Sequence, residues 1–207
     1  MKIKICGLTR QEDIAAANEA KPDYIGLVFA EKSRRYVNFE CAKRLKAQLA
    51  EEIASVGVFV DAPFHTIEKL AGAGVIDLIQ LHGCETPEDA KRIKERLGLP
   101  LIKAISAEKE HFVEELRLWQ QTDVDYLLLD SGAGGTGLQF DYKRLEAAGK
   151  IRKPFFLAGG LNYENVAEAA EQTKPYAVDM SSGVETDGKK DPKKIREAVR
   201  RIRNVKR

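Results

Sequence analysis

Short apolar runs rich in β-branched residues alternate along the whole chain with longer segments whose apolar positions recur every three or four residues. The runs KIKIC (2–6), YIGLVF (24–29), SVGVFV (55–60), IDLIQL (76–81), PLIKAI (100–105), DYLLLD (125–130), PFFLA (154–158) and YAVDM (176–180) read as strands. Each leads into a helical segment. Thr9 and Glu12 fit a capping box ahead of DIAAANEA, and Thr86 with Pro87 places a cap and a first-turn proline before EDAKRIKERL. Asp61, Asn162 and Asp191 stand where N-caps belong, and Ala42, Leu45 and Leu49 form one helical face.

Alternating strands and helices predict a mostly parallel sheet covered by helices. Eight such units are what a closed (β/α)₈ barrel requires, and the 207 residues sit at the short end of its size range. An open doubly wound sheet usually has fewer strands. The expectation is therefore an α/β barrel in a single domain, 1–207, with no Pro/Gly/Ser-rich linker dividing it.

Composition adds exclusions. No apolar run approaches the ~20 residues needed to cross a bilayer. The start, MKIKICG, lacks the apolar stretch and cleavage site of a secretory signal. Three cysteines, Cys6, Cys41 and Cys84, form neither a disulfide framework nor a C-x-x-C metal pair. A reduced, cytoplasmic setting is the simplest reading.

Net charge is +2, yet residues 189–207 hold ten Lys/Arg against two acids, which leaves the rest of the chain at −6. A basic tail raises the question of nucleic acid. Ile195, Val199, Ile202 and Val205 recur at helical spacing, however, and no aromatic interleaves with the cations. That pattern predicts a terminal helix docked on the core with its charges solvated, and no nucleic-acid partner.

In a (β/α)₈ barrel the chemistry gathers at the C-terminal ends of the strands. Those positions carry Cys6, a loop containing Ser33, Arg34, Arg35 and Tyr36, then Asp61, Gln80 and His82. Lys103, Asp130, Gly159, Gly160, Asp179, Ser181, Ser182 and Gly183 follow. The last two loops, LAGGLN and DMSSGVE, combine glycines that let backbone N–H groups approach an anion with hydroxyl donors, a phosphate-binding pattern. The loop DSGAGGTG matches G-x-G-x-x-G spacing through Gly132, Gly134 and Gly137. It lacks the strand-end carboxylate of a dinucleotide site, and reads instead as a glycine-rich loop able to close over a substrate. Asp130, ending an apolar strand, suits an acid or base. Alternation along LIQLH gives Gln80 and His82 a common direction.

Seven motifs, KICGLT, FAEKSRRYV, GVFVD, QLHG, LLLDS with GGTG, LAGGLN and DMSSGVE, occur in the order found in phosphoribosylanthranilate isomerases, and the chain resembles that family along almost its whole length. The resemblance implies a (β/α)₈ barrel without cofactor or metal. It also implies a small-molecule substrate, a soluble monomer or homodimer, and an Amadori rearrangement in tryptophan biosynthesis. By the same resemblance Cys6 is the general base and Asp130 the general acid. Arg35 orients the anthranilate carboxylate, Gly159, Gly160, Ser181, Ser182 and Gly183 cradle the phosphate, and His82 and Asp179 line the pocket. Tyr142 and Met180 depart from the tryptophan and valine common in the family. The competing readings are another phosphate-binding barrel isomerase acting on a related sugar phosphate, and a non-catalytic binder of a phosphoribosyl ligand.

Overall fold

The computed structural model describes residues 1–131 and 149–205. Eight strands close into a parallel barrel in sequence order: β1 Lys2–Cys6, β2 Tyr24–Val28, β3 Ala54–Phe59, β4 Leu78–Leu81, β5 Leu101–Ser106, β6 Tyr126–Asp130, β7 Phe155–Ala158 and β8 Ala177–Met180. Around them lie α1 Gln11–Ala20, α2 Phe39–Lys46, α3 Phe64–Gly72, α4 Pro87–Leu97, α5 Phe112–Trp119, α6 Val166–Thr173 and α7 Pro192–Asn204. Every barrel strand overlaps the apolar run that predicted it. The glycines 132, 134 and 137 of the sixth loop, and Tyr142, lie outside the described residues.

Strand alternation sorts the side chains into two apolar layers. Ile3, Ile5, Leu27, Ile79, Leu127 and Val178 face the helices, where each buried aliphatic side chain contributes roughly 1.5–3 kcal/mol. Tyr24, Val56, Leu78, Ile102, Leu128, Phe156 and Ala177 fill the barrel itself. Tyr24, Tyr126, Phe156 and Tyr176, at the N-terminal ends of their strands, pack ring on ring with centroids 5.0–5.7 Å apart and plug that end. The opposite end is left for chemistry.

Helix starts follow the caps in part. Thr86 accepts the Asp89 N–H, and Asp191 accepts those of Lys193 and Lys194. The first helix begins one residue later than the capping box predicted. There Asp13, not Glu12, accepts the N–H groups of Thr9 and Arg10, because its carboxylate is drawn inward beside Arg10. Asp61 caps no helix; Pro63 precedes α3, and Asp61 instead accepts the Cys84 N–H across to the next loop. Asn162 closes a turn ahead of α6, accepting from Glu164 and Asn165 N–H.

The terminal helix α7 buries Ile195, Val199 and Ile202, with Val205 just past its end. Its arginines are paired within the chain. Arg196 pairs with Glu19, Arg203 with Asp23, and Arg200 and Arg201 with Glu197. Among the described residues no helix is long and apolar enough to cross a membrane.

Candidate active site

Cys6 is the last residue of β1, and its thiol points into the barrel mouth because it lies two residues beyond the inward-facing Lys4. Gly26 on the neighbouring strand makes room for it: a Cβ there would stand 2.6 Å from the Cys6 sulfur. Gly7 follows at φ +79°, a left-handed turn that carries the chain out of the barrel, and the Arg35 side chain packs directly over it.

Beneath the thiol lies a buried ion pair. Lys4 Nζ, with no solvent exposure, donates to Asp179 Oδ2 at 2.8 Å, across the β1–β8 seam where the two residues are in register. Burial disfavours the ammonium, but the Asp179 carboxylate and the Cys6 sulfur outweigh it and raise the Lys4 pKa. The second carboxylate oxygen, Asp179 Oδ1, is buried without a hydrogen-bond partner and belongs to a residue that lines the mouth. A buried carboxylate oxygen in that state is an acceptor suited to a hydroxyl or N–H of a bound molecule.

Across the mouth, Gln80 and His82 share a direction, as alternation predicts. Gln80 Nε2 donates to His82 Nδ1 at 2.8 Å. That bond places the imidazole proton on Nε2, which faces Asp130 Oδ2 at 3.7 Å. Burial holds the His82 pKa below its ordinary value. Asp130 ends β6, next to Ala158 of β7 in the sheet register.

The loop after β2 is a pair of tight turns. Ser33 N–H donates to Ala30 and Tyr36 N–H to Ser33, while Ser33 Oγ accepts the Arg35 N–H at 3.1 Å. The turns aim Arg35 at the mouth, where Glu185 grips it bidentately at 2.7 and 2.8 Å. Glu185 opens a two-stranded hairpin, β9 Glu185–Thr186 and β10 Lys189–Lys190, turned through an Asp187-Gly188 pair with positive φ at both residues. The hairpin returns Lys190 to Glu185 at 2.6 Å and to the Ser181 carbonyl at 3.0 Å. Burial pushes the Glu185 carboxyl up, but Arg35 and Lys190 prevail and hold it at about 2.

The phosphate-type loops lie side by side. Gly159 and Gly160 adopt φ +89° and +62°, and a Cβ on Gly159 would fall 2.0 Å from Ser131 Oγ and 2.7 Å from Asp130 Oδ1. Ser181 Oγ donates to the Cys6 carbonyl at 3.0 Å, tying the eighth loop to the first strand. Gly183 lies behind these residues, where a Cβ would meet the Leu161 carbonyl at 1.9 Å. It lets the two loops touch.

One cavity of about 260 Å³ gathers Cys6, Arg35, His82, Asp130, Gly159, Gly160, Asp179, Ser181 and Ser182. Gly183 alone among the expected site residues does not line it. Lys103 does not face the mouth either: it points outward to Glu85 and the Gly83 carbonyl, at 2.7 Å each. A larger cavity of about 660 Å³, between the second loop and α3, shares Ala30 and Val60 with the site but holds neither the thiol nor Asp130. Reasoning on the sequence passed over Lys4, Glu185 and Lys190. The signal for Lys4 was present, since a lysine two residues before an inward cysteine on a barrel strand must itself face inward.

The family described as N-(5'phosphoribosyl)anthranilate (PRA) isomerase matches residues 3–201. The N-(5'-phosphoribosyl)anthranilate isomerase of Endomicrobium trichonymphae is 44% identical over 208 aligned positions, covering 99% of each chain. The crystal structure of phosphoribosyl anthranilate isomerase from Thermotoga maritima superposes with a TM-score of 0.88 at 34% identity, covering 99% of this chain and 100% of that one. A phosphoribosyl anthranilate isomerase in complex with reduced 1-(o-carboxyphenylamino)-1-deoxyribulose 5-phosphate gives 0.86 at 33% identity, with the same coverage.

Proposed function

The chain belongs to the N-(5'-phosphoribosyl)anthranilate isomerase family, and from that premise we propose how its residues divide the work. The reaction is the Amadori rearrangement of N-(5'-phosphoribosyl)anthranilate, a small-molecule step in tryptophan biosynthesis. The whole chain, 1–207, is read as one catalytic barrel acting in the cytoplasm.

Asp130 gives a proton to the ribose ring oxygen as the C1'–O bond breaks, and the anthranilate nitrogen supplies the electron pair that forms a C1'–N iminium. The Cys6 thiolate removes the C2' proton, and the C–H electrons move into a C1'–C2' double bond while the iminium collapses to an amine. The resulting enolamine relaxes to the 2'-ketone by gaining a proton at C1' and losing one from the C2' hydroxyl. Atoms balance with no external oxidant or reductant.

Binding groups surround this path. Ser181, Ser182, Gly159 and Gly160 hold the phosphate at one side of the mouth, with Gly183 fixing how closely their loops approach. Arg35 meets the anthranilate carboxylate with the guanidinium N–H groups that Glu185 leaves over. Asp179 Oδ1 accepts a sugar hydroxyl, and the His82 Nε2–H faces the acid.

The observation that carries this reading is that Cys6 and Asp130, on β1 and β6, line one cavity together with the two glycine/serine loops. The test is turnover of N-(5'-phosphoribosyl)anthranilate by the parent, Cys6→Ser and Asp130→Asn. Each variant should lose about 10²–10⁴-fold in kcat with a smaller change in KM. An equally active Cys6→Ser protein removes the thiol from the mechanism.

A further inference from the structure

Cys6 carries a burden that the acid–base scheme leaves unexplained. A thiol must ionise to act as a base, and burial pushes the Cys6 thiol up, away from ionisation at neutral pH. Some group has to offset that.

The charged groups around the sulfur come from several elements. Lys4 lies two residues back on β1, Asp179 on β8, Lys190 on β10, and Arg35 on the loop after β2. His82 and Asp130 stand across the same cavity. Two of the cations are committed to another acid, because Arg35 and Lys190 share Glu185. Lys4 is paired too, with Asp179, but it is fully buried and shares the strand face of Cys6, two residues before it on β1.

We propose that Lys4 is a positioning residue for the reaction: its buried ammonium, anchored by Asp179, favours the thiolate of Cys6 and turns the free oxygen of Asp179 toward the substrate. The ammonium has three donors, enough to serve both partners from one fixed place. Asp179 has a double duty. It holds the ammonium charged where burial alone would neutralise it, and it keeps Oδ1 for a substrate hydroxyl. Lys4 touches no reacting atom.

This inference rests on Cys6 being the base, so the experiment reads the thiol apart from turnover. In a Cys41→Ser/Cys84→Ser background, iodoacetamide reports Cys6 alone, and its alkylation rate is followed against pH. Lys4→Gln should slow alkylation at pH 7 by about tenfold and move the inflection to higher pH, with the rising limb of kcat/KM moving alongside. An alkylation curve that coincides with the parent's overturns the proposal, whatever happens to activity.

Lys4→Gln leaves Asp179 buried without its cation, and that protein could fail to fold. Lys4→Met/Asp179→Asn removes both charges and keeps the test alive. Lys4 acts on the sulfur more strongly than Asp179 does, so the double variant should still alkylate more slowly than the parent, by a smaller factor. A rate equal to or above the parent's overturns the inference. Retained turnover in Cys6→Ser defeats the base assignment instead, and leaves the alkylation result to stand or fall separately.

Discussion

Arg35 is held by Glu185 through two parallel hydrogen bonds, Nε to Oε1 at 2.7 Å and Nη2 to Oε2 at 2.8 Å. A guanidinium fixed this way has surrendered its rotamer freedom in advance, so a carboxylate ligand no longer bears that cost. Replacing Glu185 by Gln keeps the shape and removes the charge. Glu185→Gln should raise KM for N-(5'-phosphoribosyl)anthranilate about 5- to 10-fold and alter kcat less, because the clamp serves binding and not proton transfer. Steady-state kinetics decides it: a KM at or below the parent's means that Glu185 competes with the substrate rather than preparing its site.

The same carboxylate sets an acid-stability threshold. Glu185 sits at about 2 in the folded protein against an ordinary 4.5, so the unfolded chain takes up its proton first as pH falls. Its contribution is complete above pH 4.5 and disappears between there and about 2. Urea titrations at pH 6 and pH 3 should show a loss in the parent that is smaller by roughly 1–2 kcal/mol in Glu185→Gln, the Coulomb share being tempered by solvent near the hairpin. Equal losses in both proteins would remove Glu185 from the acid response.

The barrel was legible because each strand is a compact apolar run and each helix an amphipathic stretch, features that depend on near neighbours in sequence. Cys6, His82, Asp130 and Asp179 were legible too, since strand ends place them. The Arg35–Glu185 and Lys4–Asp179 pairs were not. Their partners are 150 and 175 residues apart, and only closure of β8 against β1 brings them together. Gly183 is ambiguous for the opposite reason. A glycine in a phosphate-type loop can serve an anion or a neighbouring backbone, and its sequence context is the same in either case. Parity sets Lys103 apart: Gln80 and Asp130 point inward, while Lys103, on the strand between theirs, falls on the outward step of the pleat.

Gly26 offers a test of how tightly Cys6, the base in the proposed scheme, is placed. A methyl group there would stand 2.6 Å from the Cys6 sulfur and 3.1 Å from its Cα. The backbone of Gly26 has no positive φ, so the strain of the substitution falls first on the contact with Cys6. Gly26→Ala should cost about 1–3 kcal/mol in stability and reduce kcat by about 10²-fold, since a small displacement of a catalytic group is expensive. Thermal unfolding and turnover measured on one preparation check both halves. Normal kcat in a folded variant would show that the thiol needs no such exact seat.

The Lys4–Asp179 pair separates stability from chemistry. Charges are costly to bury, and a buried pair often contributes little net stability against a neutral pair of the same shape, whereas removing one partner strands the other. Lys4→Met should therefore destabilise the fold by about 3–5 kcal/mol, with Asp179 left charged beneath the mouth. Lys4→Met/Asp179→Asn should recover most of that loss, giving a favourable coupling between the two substitutions in a double-mutant cycle of denaturant unfolding. Additive losses would mean that each residue stabilises the barrel on its own, through contacts other than the pair. Recovery of the fold without recovery of turnover would locate the selective value of the two charges in the reaction, because a barrel interior that is equally stable without them has no structural need to carry them.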